Sequence, residues 1–144
     1  MTLPINFRSL MVFEDVNIVE NQANPQVSLV QPVLNFLVPF LPTQLSFCVF
    51  AAVSDFKPED VNNVEIVITN ELTKEDIMII PWQIEQIEQP TGITSTGIMI
   101  SNIRNLIIPN EGQYTVSLKT YGEVLGTTYF EVFPQPQKME TNNA

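Results

Sequence analysis

The stretch Gly112-Gln-Tyr-Thr-Val-Ser-Leu-Lys-Thr120, Tyr121-Gly122, Glu123-Val-Leu-Gly-Thr-Thr-Tyr-Phe-Glu-Val-Phe133 decides the fold. Its first segment alternates, with Tyr114, Val116 and Leu118 on one side, the two-residue period of a strand buried on one face. Tyr121-Gly122 supplies a tight turn, and the chain returns with Val124, Thr128, Phe130 and Val132 aligned. The pair reads as an antiparallel hairpin, and an apolar hairpin face needs a second layer to cover it.

The rest of the chain offers that layer. Ile5 to Phe13 alternates, with Ile5, Phe7, Met11 and Phe13 on one face and Asn6 and Arg8 on the other, which predicts a half-buried strand. Asp15 to Asn24 is polar apart from Val16, Ile18 and Val19, and the Asn21-Gln-Ala-Asn-Pro25 segment reads as a loop. A strand is expected from Val27 into Phe36, at a sheet edge or a bulge because Pro32 cannot donate to a ladder. Pro39-Phe-Leu-Pro42 then turns the chain into Gln44 to Val53, whose near-continuous apolar character predicts burial on both faces.

Asp55 to Asn63 reads as a charged loop with a helical turn after Pro58. Val64 to Thr69 and Ile77 to Trp82 read as a hairpin about Asn70 to Lys74. Glu85 to Thr96 is expected to be exposed, with Trp82 in the core between sheets. Gly97 to Ser101 is strand-like and Asn102 to Asn110 reads as a connection. In that connection Leu106, Ile107 and Ile108 are consecutive, so alternation cannot hide all three beneath one sheet face; a second layer or another chain must cover them.

Seven to nine short strands, with turn signals roughly every 8 to 12 residues, predict an all-β sandwich. The length of 144 residues fits one domain. Residues 1–134 are assigned to it, and the Pro-, Gln- and Asn-rich residues 135–144 to a disordered tail.

Sixteen carboxylates face six Lys and Arg, for a net charge of −10. No basic cluster could neutralise a phosphate backbone, so nucleic acid and anionic membrane are disfavoured as partners, while a basic protein would be attracted. Val33 to Val53 is apolar enough to raise a membrane span, but Pro39 and Pro42 interrupt it and Asn35, Gln44 and Ser46 lack partners in lipid. It is expected to form two buried strands. Cys48 stands alone, so no internal disulfide forms, and its apolar run marks it as a buried small hydrophobe. The N-terminus lacks the order of a signal peptide, which makes a cytoplasmic location the expectation.

The absence of histidine removes the most frequent general base and transition-metal ligand. Gly92-Ile-Thr-Ser-Thr-Gly97 is one residue too long for a nucleophile elbow, and the five glycines have no phosphate-cradling spacing. No cofactor and no catalysis are expected. The pairs Glu14-Asp15, Glu59-Asp60 and Glu75-Asp76 could in principle offer oxygen ligands to calcium, although none sits in an EF-hand type loop.

The segments Ile100-Ser-Asn-Ile103 and Asn110-Glu-Gly-Gln-Tyr-Thr-Val116 resemble the passage between strands E and F of immunoglobulin-like domains. There a glycine precedes a tyrosine whose hydroxyl returns to the backbone. Gly112 and Tyr114 match those positions. Val116 stands where the inter-sheet cysteine would be, so the resemblance implies a cysteine-free sandwich. The hairpin Gly112 to Val132, with Ser9-Leu-Met-Val-Phe-Glu-Asp15, is also similar to a group of small uncharacterised all-β proteins of bacteria and phages; that likeness implies a fold and no activity.

Nine acidic residues, Asp55, Glu59, Asp60, Glu65, Glu71, Glu75, Asp76, Glu85 and Glu88, crowd the stretch from Asp55 to Glu88 with Lys57 and Lys74 as the basic residues among them. If they shared one face, its field could engage a basic surface. The expectation is therefore a non-enzymatic module that binds another protein through a sheet edge, its loops or this acidic face, with self-association left open. One alternative is a phage-encoded inhibitor whose acidic face imitates nucleic acid; another is a calcium- or carboxylate-dependent binder.

Overall fold

In a computed structural model, residues 5–19, 26–56, 63–81, 85–86 and 96–136 are described. They form ten strands: β1 (Asn6–Val19), β2 (Gln26–Pro32), β3 (Asn35–Val38), β4 (Thr43–Ser54), β5 (Val64–Asn70), β6 (Glu75–Pro81), β7 (Glu85–Gln86), β8 (Thr96–Ile108), β9 (Gly112–Thr120) and β10 (Glu123–Pro134). Nine have four residues or more, and β7 has two. One sheet runs β2-β1-β4-β8-β7 and the other β3-β10-β9-β5-β6. The pairings β1-β4-β8-β7 and β10-β9-β5-β6 reproduce the A-B-E-D and G-F-C-C′ orders of immunoglobulin-like sandwiches. This strand order, with no disulfide at Cys48, makes the fold an immunoglobulin-like β-sandwich.

The deciding hairpin lies in the second sheet. Tyr114, Val116, Leu118, Phe130 and Val132 are fully buried against the first sheet. Val124, expected to join them, is exposed, because a bulge at Leu125 adds one residue to β10 and reverses the facing of what precedes it. Gly126 follows that bulge, where a Cβ would stand 2.4 Å from the ring of Phe7 in β1. Phe7 thus lies across the gap between sheets at their open side.

Three other bulges decide facing in the same way. In β1 the extra residue Arg8 moves the inward positions that follow it to Leu10 and Val12, leaving Met11 exposed where the sequence pattern placed it inside, while Phe7, ahead of the bulge, keeps its register opposite the buried Val53. In β6 the extra residue is Ile77. In β8 the residues Arg104 and Asn105 oppose the single Ser46, with Asn105 at a φ of 56° and its N–H donating to Ser46 Oγ at 3.1 Å. The expected connection Asn102 to Asn110 is therefore mostly a continuation of one strand. After its bulge Leu106 and Ile108 turn inward and Ile107 outward, so alternation hides two of the triplet and leaves Ile107 exposed.

Two segments depart from their expected roles. Asp15 to Val19, noted in the sequence for its polar composition, prolongs β1 and pairs with Gln26 to Val30 of β2, where main-chain bonding to a neighbouring strand outweighs that composition, and the expected loop Asn21 to Pro25 lies outside the described residues. The strand expected from Val27 to Phe36 breaks in two. Gln31 takes a φ of 49°, the last bond to the first sheet is Val33 N–H to Val12 O at 2.9 Å, and the chain crosses over to run parallel with β10. Pro32 thus closes an edge strand, as its missing donor requires. β3 is buried only in part: it lies at the edge of the second sheet, with Val38 in the core and Leu37 exposed. No helix of the described residues is long and apolar enough to cross a membrane. The expected helical turn after Pro58, Trp82 and the tail from Gln137 lie outside the described residues.

An aromatic cluster joins the two sheets. The Phe47 ring of β4 meets Phe130 of β10 at 5.2 Å between centroids and Phe36 of β3 at 5.5 Å, while Tyr114 of β9 stacks on Phe130 at 5.5 Å. Edge-to-face and offset contacts of this kind add about 0.5–1.5 kcal/mol beyond burial. Cys48 faces the other side of β4, buried, with its Sγ 2.9 Å from Asn102 Oδ1.

Candidate functional site

Tyr114 and Gly112 are structural. The Tyr114 hydroxyl donates to Asn110 O at 2.6 Å, the return contact of a tyrosine corner, and burial pushes its pKa upward so that the donor proton is kept. Gly112 holds a φ of 125°, a conformation that a side chain would strain. Tyr114→Phe is expected to cost about 1 kcal/mol with the circular dichroism unchanged; thermal melting checks it.

The corner is clipped to the β5–β6 turn. Asn70, 1% exposed, donates from Nδ2 to Asn110 Oδ1 at 2.8 Å and accepts from Leu72 N–H at 3.0 Å through its Oδ1. Glu71 accepts from Lys74 Nζ and, at 2.7 Å, from the Thr115 hydroxyl. The bond from Lys74, followed by that from Thr115, holds the Glu71 carboxyl below its ordinary value of 4.5. A depressed carboxylate contributes stability above 4.5 that is lost as the pH falls through the folded-state value. Glu71→Gln is accordingly expected to flatten the acid side of the stability–pH curve, as read by melting temperatures across that range.

The nine acidic residues do not come together as one face among the described residues. Glu71, Glu75 and Asp76 surround the β5–β6 turn, where Asp76 accepts from the Thr69 hydroxyl at 2.8 Å. Glu65 stands six residues before Glu71, roughly 20 Å away along β5, paired in register with Lys119. Asp55 follows β4 in the first sheet, at the same end of the sandwich as Glu65, and accepts from Asn6 Nδ2. Glu85 belongs to β7 of the first sheet. Glu59, Asp60 and Glu88 lie outside the described residues. Consecutive strand residues point to opposite faces, which separates the carboxylates of Glu14-Asp15. Among the described residues no group of three Cys, Asp or Glu side chains could hold a metal ion.

An apolar strip does come together. Leu34, Leu37 and Phe40 are 74%, 61% and 64% exposed on or beside β3, and Ile107 of β8, 62% exposed, shares a shallow groove of about 450 Å³ with Phe40 and Pro42. A second groove of about 660 Å³ runs along β3 itself, between Gln31 to Leu37 on one side and Glu14 and Ser46 on the other. Elsewhere Ile79 and Tyr129 stand exposed on the outer face of the second sheet with β5 and β9 between their strands, the single exposure that surfaces ordinarily show. The sequence pattern placed the strand up to Val38 inside and Phe40 in a turn, so the strip was missed. Its legible signal is a run from Ser9 to Phe56 without one Lys or Arg, in which β3 is apolar and flanked by Pro32 and Pro39.

No protein-family model matches the sequence, and no curated protein does. Among solved structures, an immunoglobulin-like protein of Pseudomonas aeruginosa is similar over 90% of this chain and 96% of its own, at 11% identity and a TM-score of 0.43. The DNA-bound alkylpurine DNA glycosylase AlkC of Pseudomonas fluorescens is similar over 92% of this chain, at 14% identity and a TM-score of 0.45. This chain spans 31% of that enzyme's length. Both likenesses are too distant to carry an argument, and the fold assignment rests on the strand order.

Proposed function

We propose that the chain is a non-enzymatic interaction module, an acidic immunoglobulin-like sandwich that binds another protein through the strip around β3. The observation that carries this reading is the succession of Leu34, Leu37 and Phe40 on and just beside the edge strand β3, each more than half exposed. An apolar grouping rimmed by polar surface is the mark of a binding site, because leaving it in water costs free energy that a partner recovers. Net charge of −10 favours a basic partner by long-range attraction.

Imitation of nucleic acid would require dense carboxylates on a continuous surface, and Asp55 and Glu65 stand at the end of the sandwich opposite Glu71. The strip is therefore the better-supported site. The test is affinity capture from the native cells with the wild-type chain and with Leu34→Ser/Leu37→Ser. Both changes lie on the surface and should leave the melting temperature unchanged. A discrete partner retained by the wild type and lost by the double variant is the expected result; identical capture by both would overturn the reading.

A further inference from the structure

We infer that the free edge of β3 takes an extended segment of another protein as a sixth strand of the second sheet, and that this segment alternates apolar and basic side chains. The inference deepens the interaction-module reading and rests on it. Its first ground is the backbone. Leu34 O and Val38 O both accept from β10, from Glu131 N–H at 3.0 Å and Gln135 N–H at 2.7 Å. These acceptors are four residues apart, so the even-numbered peptide groups of β3 face β10. Those of Asn35 and Leu37 face away, toward the side where no described strand pairs. An added strand would bond to these groups.

The second ground is how this edge is left open. Sheet edges are ordinarily guarded by lysine, by inward charges or by covering segments. Asn35-Phe-Leu-Val38 carries no charge, and Leu34 and Leu37 project into solvent. Its guards are shortness and the flanking Pro32 and Pro39, which limit pairing to the Asn35 and Leu37 peptide groups. Side-chain contacts must then supply the rest of the affinity, and the groove beside the edge offers half-buried Val33 and Phe36 as an apolar floor.

The third ground is charge, and it selects the occupant. Glu14 is the one charged residue among those lining the groove. No Lys or Arg is among the lining residues, so the groove wall offers an incoming basic side chain a carboxylate. A second copy of the chain would bring its own net charge of −10 against the same sign, which disfavours self-pairing here.

Panning a random dodecamer library displayed on phage against the immobilised full chain tests this. The expected winners alternate apolar residues with Lys or Arg. Their synthetic peptides should slow amide hydrogen exchange at Asn35 and Leu37. Glu14→Lys and Leu37→Asp, both at exposed positions, should each weaken binding by about tenfold or more at an unchanged melting temperature. Failure to enrich any sequence, enrichment of acidic sequences, or exchange protection confined to β6 or the β5–β6 turn would overturn the assignment of the edge. Protection of Asn35 and Leu37 that rises with the protein's own concentration, without peptide, would overturn it in favour of a second copy. Peptide bound at another surface would refute the edge and leave the module reading standing, whereas loss of the module reading is scored separately by the capture experiment.

Discussion

Phe130→Ala is expected to destabilise the protein by about 3–5 kcal/mol, the largest effect of any single truncation considered, read as a lowered urea midpoint at unchanged slope. The ring is fully buried and touches Phe36, Phe47 and Tyr114, so its removal leaves a void bounded by residues of both sheets. With no disulfide between the sheets, this cluster is the main specific contact that fixes their separation. Neighbouring strands hold Phe47 and Tyr114 in place, so the void cannot close by simple collapse. A domain of this size has roughly 5–15 kcal/mol of stability in total, and the variant would retain a small part of it. The contrast is Leu37→Ala, at an exposed site on the neighbouring strand, expected within about 0.5 kcal/mol of wild type. Comparable losses from both would contradict the account.

Asn70→Ala is expected to cost about 1–3 kcal/mol, because it removes a buried side chain that bonds at both ends. Its loss would leave Asn110 Oδ1 and Leu72 N–H without their partner and would uncouple the β5–β6 turn from the tyrosine corner. The Lys74 N–H bond to Asn70 O, at 2.7 Å, belongs to the backbone and would persist. The control is Thr73→Ala in the same turn, whose hydroxyl accepts one long bond from Glu75 N–H at 3.4 Å; it should be close to neutral. Urea denaturation measures both, and amide exchange at Leu72 should rise in the first variant alone.

The legible part of the fold is the part where period and chemistry agree. β9 could be read because Tyr114, Val116 and Leu118 alternate without interruption and a glycine turn follows. The β5–β6 hairpin could be read for the same reason, with Asn70 to Lys74 supplying turn chemistry. What escaped reading is facing after a bulge. Arg8, Arg104–Asn105 and Leu125 each insert a residue that no local preference announces, and each reverses which neighbours are buried. Met11 and Val124 were misplaced on that account.

The site was harder to read than the fold. Charge counts along the sequence grouped Asp55 with Glu71, yet the chain carries them to opposite ends of the sandwich and into different sheets. Conversely, apolar composition suggested that the strand from Val33 up to the Pro39-Phe-Leu-Pro42 turn was interior. Only the crossover at Gln31, which moves the chain from the first sheet to the edge of the second, turns Leu34 and Leu37 outward. Edge position is a property of strand order and has no signature in local composition. The flanking prolines were a partial clue, since they fit an edge better than a centre.

The central claim is that this sandwich works by holding another protein at β3. Site-specific photocrosslinking in the native cells tests it most directly, with a photoreactive residue at position 37 and, as reference, at position 123 in the exposed turn beyond β9. The account predicts one discrete adduct from position 37 that is absent from position 123. An absence of adducts from both positions, or the same adducts from each, would contradict it.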